Sequence, residues 1–158
     1  MTRTVAKPRK DYVGIIATHS SPIIEIVITF GYCDPAGIVF YPRYFEMVNQ
    51  TVEEWHEVGL GTSFSTIHLS SGHGVPTVSI SAEFSAPSHM GDVLTWRLYV
   101  TKLGRTSAEL MIEASCDGQL RMQARPVLVY VDMTTGRPVP WPEEIRTPMQ
   151  RYVAQNSL

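Results

Sequence analysis

The chain has 158 residues, 44% of them apolar and 18% charged, with a formal net charge of −2. That length favours one domain with a real core, and the composition excludes a disordered chain. The near-neutral charge offers no field to gather nucleic acid or an anionic membrane, and no apolar run reaches transmembrane length.

Residues 1–22 are Lys/Arg-rich at the start and carry Pro8, Pro22 and one short apolar patch, Val13–Ile16. They read as a flexible arm ahead of a single domain over 23–158. A signal peptide would need a leading apolar core and a small-residue cleavage site, and neither is there. "PIIEIVITF", 22–30, is β-branched and predicts a strand. The loop "GYCDPAGIVFYP" follows, punctuated by Pro35 and Gly37. From Tyr44 the period changes: Tyr44, Val48, Val52, Trp55 and Gly59 recur at helical spacing, with Pro42 just at the start. Residues 60–74 are Ser/Gly-rich and read as loop with at most one helical turn.

Four strand-like runs come next, at 75–87, 92–103, 107–116 and 120–132. They are joined by "SHMG", "GRT" and "DG", which carry turn chemistry. In "DVLTWRLYVTKL" Val93, Thr95, Arg97 and Tyr99 oppose Leu94, Trp96, Leu98 and Val100. The tail "PEEIRTPMQRYVAQ" predicts a short closing helix broken by Pro148. One amphipathic helix and one antiparallel sheet need each other, because each has a single apolar face to bury. The fold class is therefore α+β, with about five antiparallel strands wrapped around one long helix.

Two cysteines, Cys33 and Cys116, lie far apart, with no CxxC and no Cys/His cluster at zinc spacing. A reduced cytoplasmic setting fits, and no metal is expected. "NQT" at Asn49 matches a glycosylation acceptor by chance inside the helix. His68, His73 and His89 read as surface loop histidines, and Cys33 as a small packing residue.

"CDPAGIVFYPRYFEMVN" resembles the acidic signature of the 4-hydroxybenzoyl-CoA thioesterase family. "VPTVSISAEFSAPSHMGD" and "LGRTSAEL" resemble later stretches of the same family, in the same order, so the likeness spans roughly residues 23 to 132. The resemblance implies the hotdog fold and hydrolysis of an aryl- or acyl-CoA thioester. It implies that Asp34 is the catalytic acid and that the backbone amide of Tyr41, at the helix start, polarises the carbonyl. It puts CoA phosphates near Lys102, Arg105 and Ser107. Tyr44 is a candidate wall of the acyl pocket. Val75 stands where the hydroxybenzoyl enzyme has a Thr, which suggests a less polar pocket. No cofactor is implied, since coenzyme A is part of the substrate. The resemblance also implies a homodimer or homotetramer with sites built between subunits.

The chemistry is consistent with that likeness. Thioester hydrolysis needs a nucleophile or an activated water, plus donors for the oxyanion. Helix-start amides are unpaired and sit at the positive end of the helix dipole. Gly37 supplies turn geometry and close approach by a ligand. Asp34 could attack directly or act as a general base. Taken without the resemblance, it reads as a capping or turn-forming aspartate. Two other functions compete. A hotdog dehydratase would need a His beside the acid, and none stands in this turn. The third reading is a non-catalytic acyl-CoA-binding module, and a retained Asp34 argues against it.

Overall fold

The structure, a computed structural model, describes residues 12–18 and 21–154. Six strands form one antiparallel sheet: β1 (Tyr12–Thr18), β2 (Ser21–Val27), β4 (Thr77–Phe84), β5 (Val93–Leu103), β6 (Ser107–Cys116) and β7 (Gln119–Val129). Their order across the sheet is β1-β2-β5-β6-β7-β4. A separate ladder joins β3 (His73–Gly74) to β8 (Val131–Asp132). The helices are α1 (Tyr41–Glu54) and α2 (Glu143–Gln150).

The five strands expected from the sequence are present, and β1 is a sixth. It corrects the reading of 1–22 as an arm: Tyr12–Thr18 pairs with β2 from Thr18↔Ser21 back to Tyr12↔Ile26. The rest of that arm, 1–11 with 19–20, lies outside the described residues. The run 120–132 is also not one strand. It breaks at Tyr130, whose N–H still donates to Thr106 O in the β6 register while its carbonyl accepts the Val139 N–H at 2.9 Å.

Burial explains the packing. On α1 the buried residues are Tyr44, Met47, Val48, Thr51, Val52 and Glu54, the spacing of one helix face. On β5 Leu94, Trp96, Leu98 and Val100 are fully buried, and on β6 Ala108, Leu110, Ile112 and Ala114 continue the same layer. The sheet curls its inner face around α1, and the two apolar surfaces make one core. The helix runs on through a wider π-type turn, Trp55–Gly59. Gly59 is needed there for packing. A Cβ would sit 2.7 Å from Trp55 Cδ1 and 2.9 Å from the Tyr152 hydroxyl. The predicted "DG" hairpin is present, with Asp117 at φ 50° and Gly118 at φ 79°. Pro148 does not break the closing helix. It sits inside the last turn of α2, which ends two residues later. None of the described helices is long and apolar enough to cross a membrane.

Candidate functional site

Between β2 and α1 the chain makes a short 3₁₀ turn at Phe30–Tyr32 and then a small hairpin. Cys33 bridges Val39, and the Asp34 N–H donates to Ile38 O at 3.0 Å. At the tip, Gly37 N–H donates to Asp34 O at 2.9 Å, and Gly37 takes φ +80°. One carboxylate oxygen of Asp34, Oδ1, accepts the Ala36 N–H at 2.8 Å. Asp34 therefore does form the turn. Its second oxygen has no hydrogen-bond partner among the described residues, and the residue is only half-buried.

The hairpin delivers the chain to the N-terminus of α1. Phe40 is the cap residue and has no side chain able to cap, and none of its side-chain atoms bonds the first turn. Tyr41 is the first helical residue. Pro42, the next, has no N–H, and the Arg43 N–H is used by Phe40 O at 2.8 Å. The Tyr41 amide thus has no backbone partner among the described residues, at the positive end of the helix.

Beside this helix start lies a pocket of about 300 Å³, lined by Ile38, Val39, Tyr41, Tyr44, Phe84 and the segment 85–87. Three aromatic rings converge on Phe84: Tyr41 at 6.2 Å, Tyr44 at 5.5 Å and Phe45 at 6.3 Å between centroids. The Tyr44 ring faces the pocket while its hydroxyl points into the core and donates to Ser88 Oγ at 3.0 Å. Burial pushes the Tyr44 phenol up, so the hydroxyl stays protonated and keeps donating. The loop after β4 is locked to the hairpin. Val39 N–H donates to Ser88 O at 2.8 Å, and Ile38 bridges His89.

Tyr41 and Tyr44 line the pocket, and Asp34 and Gly37 sit in the hairpin whose Ile38 and Val39 also line it. The other expected site residues lie elsewhere. Val75 is buried away from the pocket lining, and its N–H donates to His68 Nε2 at 3.2 Å. His68 is therefore no idle surface residue, since its Nδ1 also bonds Phe64 O at 2.8 Å. Lys102, Arg105 and Ser107 sit at the β5–β6 turn. Lys102 pairs loosely with Glu109 at 3.8 Å, both exposed. The Arg105 side chain is exposed, while its carbonyl accepts the Trp141 N–H at 3.0 Å. A cation missed in the sequence stands behind this turn: Arg146 Nη1 donates to Gly104 O at 2.6 Å.

That turn is at the far end of β5 from Asp34. The hairpin packs against residues 88–89, just before β5 begins. Eleven residues of strand separate the two ends. At about 3.3 Å per residue, that is roughly 30 Å.

Residues 28–149 match the family described as the thioesterase-like superfamily. The chain belongs to the thioesterase-like superfamily. A 1,4-dihydroxy-2-naphthoyl-CoA hydrolase from Synechocystis is 26% identical over 123 residues, covering 72% of this chain and 83% of the relative. A 4-hydroxybenzoyl-CoA thioesterase from Pseudomonas is 33% identical over 81 residues, 51% of this chain and 57% of the relative. Among solved structures, a 1,4-dihydroxy-2-naphthoyl-CoA thioesterase from Synechocystis superposes with a TM-score of 0.77 at 23% identity, covering 83% of this chain and 96% of that one. The fold is the hotdog fold, as the sequence led one to expect.

Proposed function

We propose that this member of the thioesterase-like superfamily is an acyl-CoA thioesterase, releasing a free acid and coenzyme A from an aryl- or acyl-CoA. The observation that carries this reading is the half-buried Asp34 carboxylate in a tight turn directly ahead of an uncapped helix start. The 300 Å³ aromatic pocket beside it supports the same reading. The acyl group enters between Tyr41, Tyr44 and Phe84, and its carbonyl oxygen takes the Tyr41 N–H. Asp34 either attacks the carbonyl carbon, giving an anhydride that water opens, or draws a proton from an attacking water. In both routes negative charge builds on the carbonyl oxygen as the tetrahedral species forms. A fixed amide at a helix start stabilises that charge. The thiolate of coenzyme A leaves and is protonated by solvent. No cofactor takes part.

The CoA tail is held by Lys102, Arg105 and Ser107 of another subunit, because roughly 30 Å of β5 separates that turn from Asp34 of the same chain. The assembly is a homodimer or homotetramer. Edge strand β4 is the joining surface: one side of it pairs with no strand among the described residues, and it exposes Val78, Ile80 and Phe84. The setting is cytoplasmic, in keeping with two free thiols, Cys33 and Cys116.

Turnover of a panel of acyl- and aryl-CoA thioesters, followed with a thiol-reactive dye, tests the reading. Thiol release from at least one member is the expected result. Tight binding without thiol release from any member identifies an acyl-CoA-binding module instead. Hydration of an enoyl-CoA with the thioester intact identifies a dehydratase.

A further inference from the structure

Arg121 is the third residue of β7 and is used more heavily than any other cation among the described residues. Its Nη1 donates to Pro87 O at 2.6 Å, to Asp92 Oδ2 at 3.0 Å and to Ser88 Oγ at 3.3 Å. One nitrogen has two hydrogens for three acceptors, so the longest contact, to Ser88, is the weakest. The pair is enclosed, with 12% of the Arg121 side chain and 26% of the Asp92 side chain exposed. Asp92 Oδ2 also accepts the His89 N–H at 2.9 Å. The main chain repeats the hold, as Arg121 O accepts the N–H groups of Ser85 at 2.9 Å and Ala86 at 3.3 Å.

These bonds tie down both ends of the segment 85–92. That segment supplies one wall of the pocket through Ser85, Ala86 and Pro87. Its Ser88 is fully buried and takes the Tyr44 hydroxyl, which sets the wall opposite. Its Ser88 carbonyl holds Val39, one residue before the cap of α1. A buried ion pair is weak evidence for stability as such. A guanidinium shared among a carbonyl, a hydroxyl and a carboxylate does fix where three loop atoms lie.

We infer that Arg121 is a positioning residue for the acyl pocket, acting through Pro87, Ser88 and Asp92 to fix the spacing between the 85–87 wall and Tyr44. The inference rests on the reading that the acyl group occupies this pocket. Its test is therefore made by binding, independently of turnover. The dissociation constants of free coenzyme A and of a non-hydrolysable benzyl thioether of coenzyme A are measured by calorimetry on the parent, Arg121→Gln, Ser88→Ala, Tyr44→Phe and the Arg121→Gln/Tyr44→Phe pair. Their ratio isolates what the aryl group contributes.

In Arg121→Gln that ratio should fall by about tenfold, the worth of one charged hydrogen bond, with free coenzyme A bound as in the parent to within about twofold. The pair should lose no more than the larger single loss, because both act through Ser88 on one spacing. The inference is overturned by a folded Arg121→Gln that keeps the parental ratio, by equal loss for both ligands, or by a parent with no aryl contribution. If Arg121→Gln does not fold, Ser88→Ala carries the same decision, since it removes the hydroxyl through which Arg121 reaches Tyr44. A parent that binds the thioether but never releases thiol from the matching thioester refutes the thioesterase reading and leaves this one standing.

Discussion

At φ +80° Gly37 holds a backbone conformation that costs a residue with a Cβ about 1–2 kcal/mol. Space is not the obstacle, for a Cβ there would meet nothing within 4 Å. Gly37→Ala should therefore lower the stability of the Asp34 turn by about that amount, and thioester turnover should fall with it. Urea titration beside kcat/KM checks this, and unchanged values for both would show the turn tolerates a side chain. His56 carries a separate prediction. It is fully buried on the wide turn after α1, with its Nδ1 donating to Val52 O at 3.0 Å and its ring against Phe64. Burial lowers its pKa from 6.5 to about 4, so the folded chain keeps it neutral. The unfolded chain takes up a proton below 6.5. The stability His56 contributes is whole above that pH and is lost as pH falls from 6.5 toward 4, on the order of 2 kcal/mol by pH 5. Asp92 does not blur the window, because its carboxyl is held below its ordinary 3.8, first by the His89 N–H and then by Arg121. Urea midpoints at pH 7 and pH 5 should differ in the parent and converge in His56→Leu. An equal difference in both proteins would contradict this.

The elements whose signals are local were legible in the sequence. The stripe of α1 and the alternation of β5 follow from which side chains need burial, and both are seen. The "DG" hairpin follows from two residues able to take positive φ. Elements set by pairing were not legible. β1 exists because it lies against β2, and its short run with Gly14 carries no period of its own. The break at Tyr130 comes with a change of partner, its carbonyl taking the Val139 N–H, which no local signal carries. The candidate site divides the same way. Asp34, Gly37 and Tyr41 could be read because turn and helix start are contiguous. Arg121 could not, because it looks like the outward residue of an alternating strand, and its partners come from the segment 87–92. The β5–β6 turn gives the prediction at this scale. Arg105→Ala should raise KM for a CoA thioester by about tenfold, the worth of a charged hydrogen bond to phosphate. It should leave the matching pantetheine thioester nearly unchanged. Equal effects on both substrates would remove phosphate from the role of Arg105.

For the whole molecule, the length of β5 is the governing fact. The acyl pocket lies at one end of β5 and the turn proposed for the CoA phosphates is roughly 30 Å away, so the proposed function calls for a second copy. Light scattering across a dilution series should give a particle larger than the 17.7 kDa chain, with activity falling as it dissociates. A monomer fully active at every concentration would contradict the two-subunit site. The most direct test of the central claim is kcat/KM of Asp34→Asn on a thioester the parent hydrolyses well. That variant keeps the shape of the side chain, and its amide oxygen can still accept the Ala36 N–H. The account predicts a folded protein whose kcat/KM is lower by about 10²–10⁴-fold, the range for losing a catalytic acid or base. A folded Asp34→Asn that retains parental kcat/KM would contradict it.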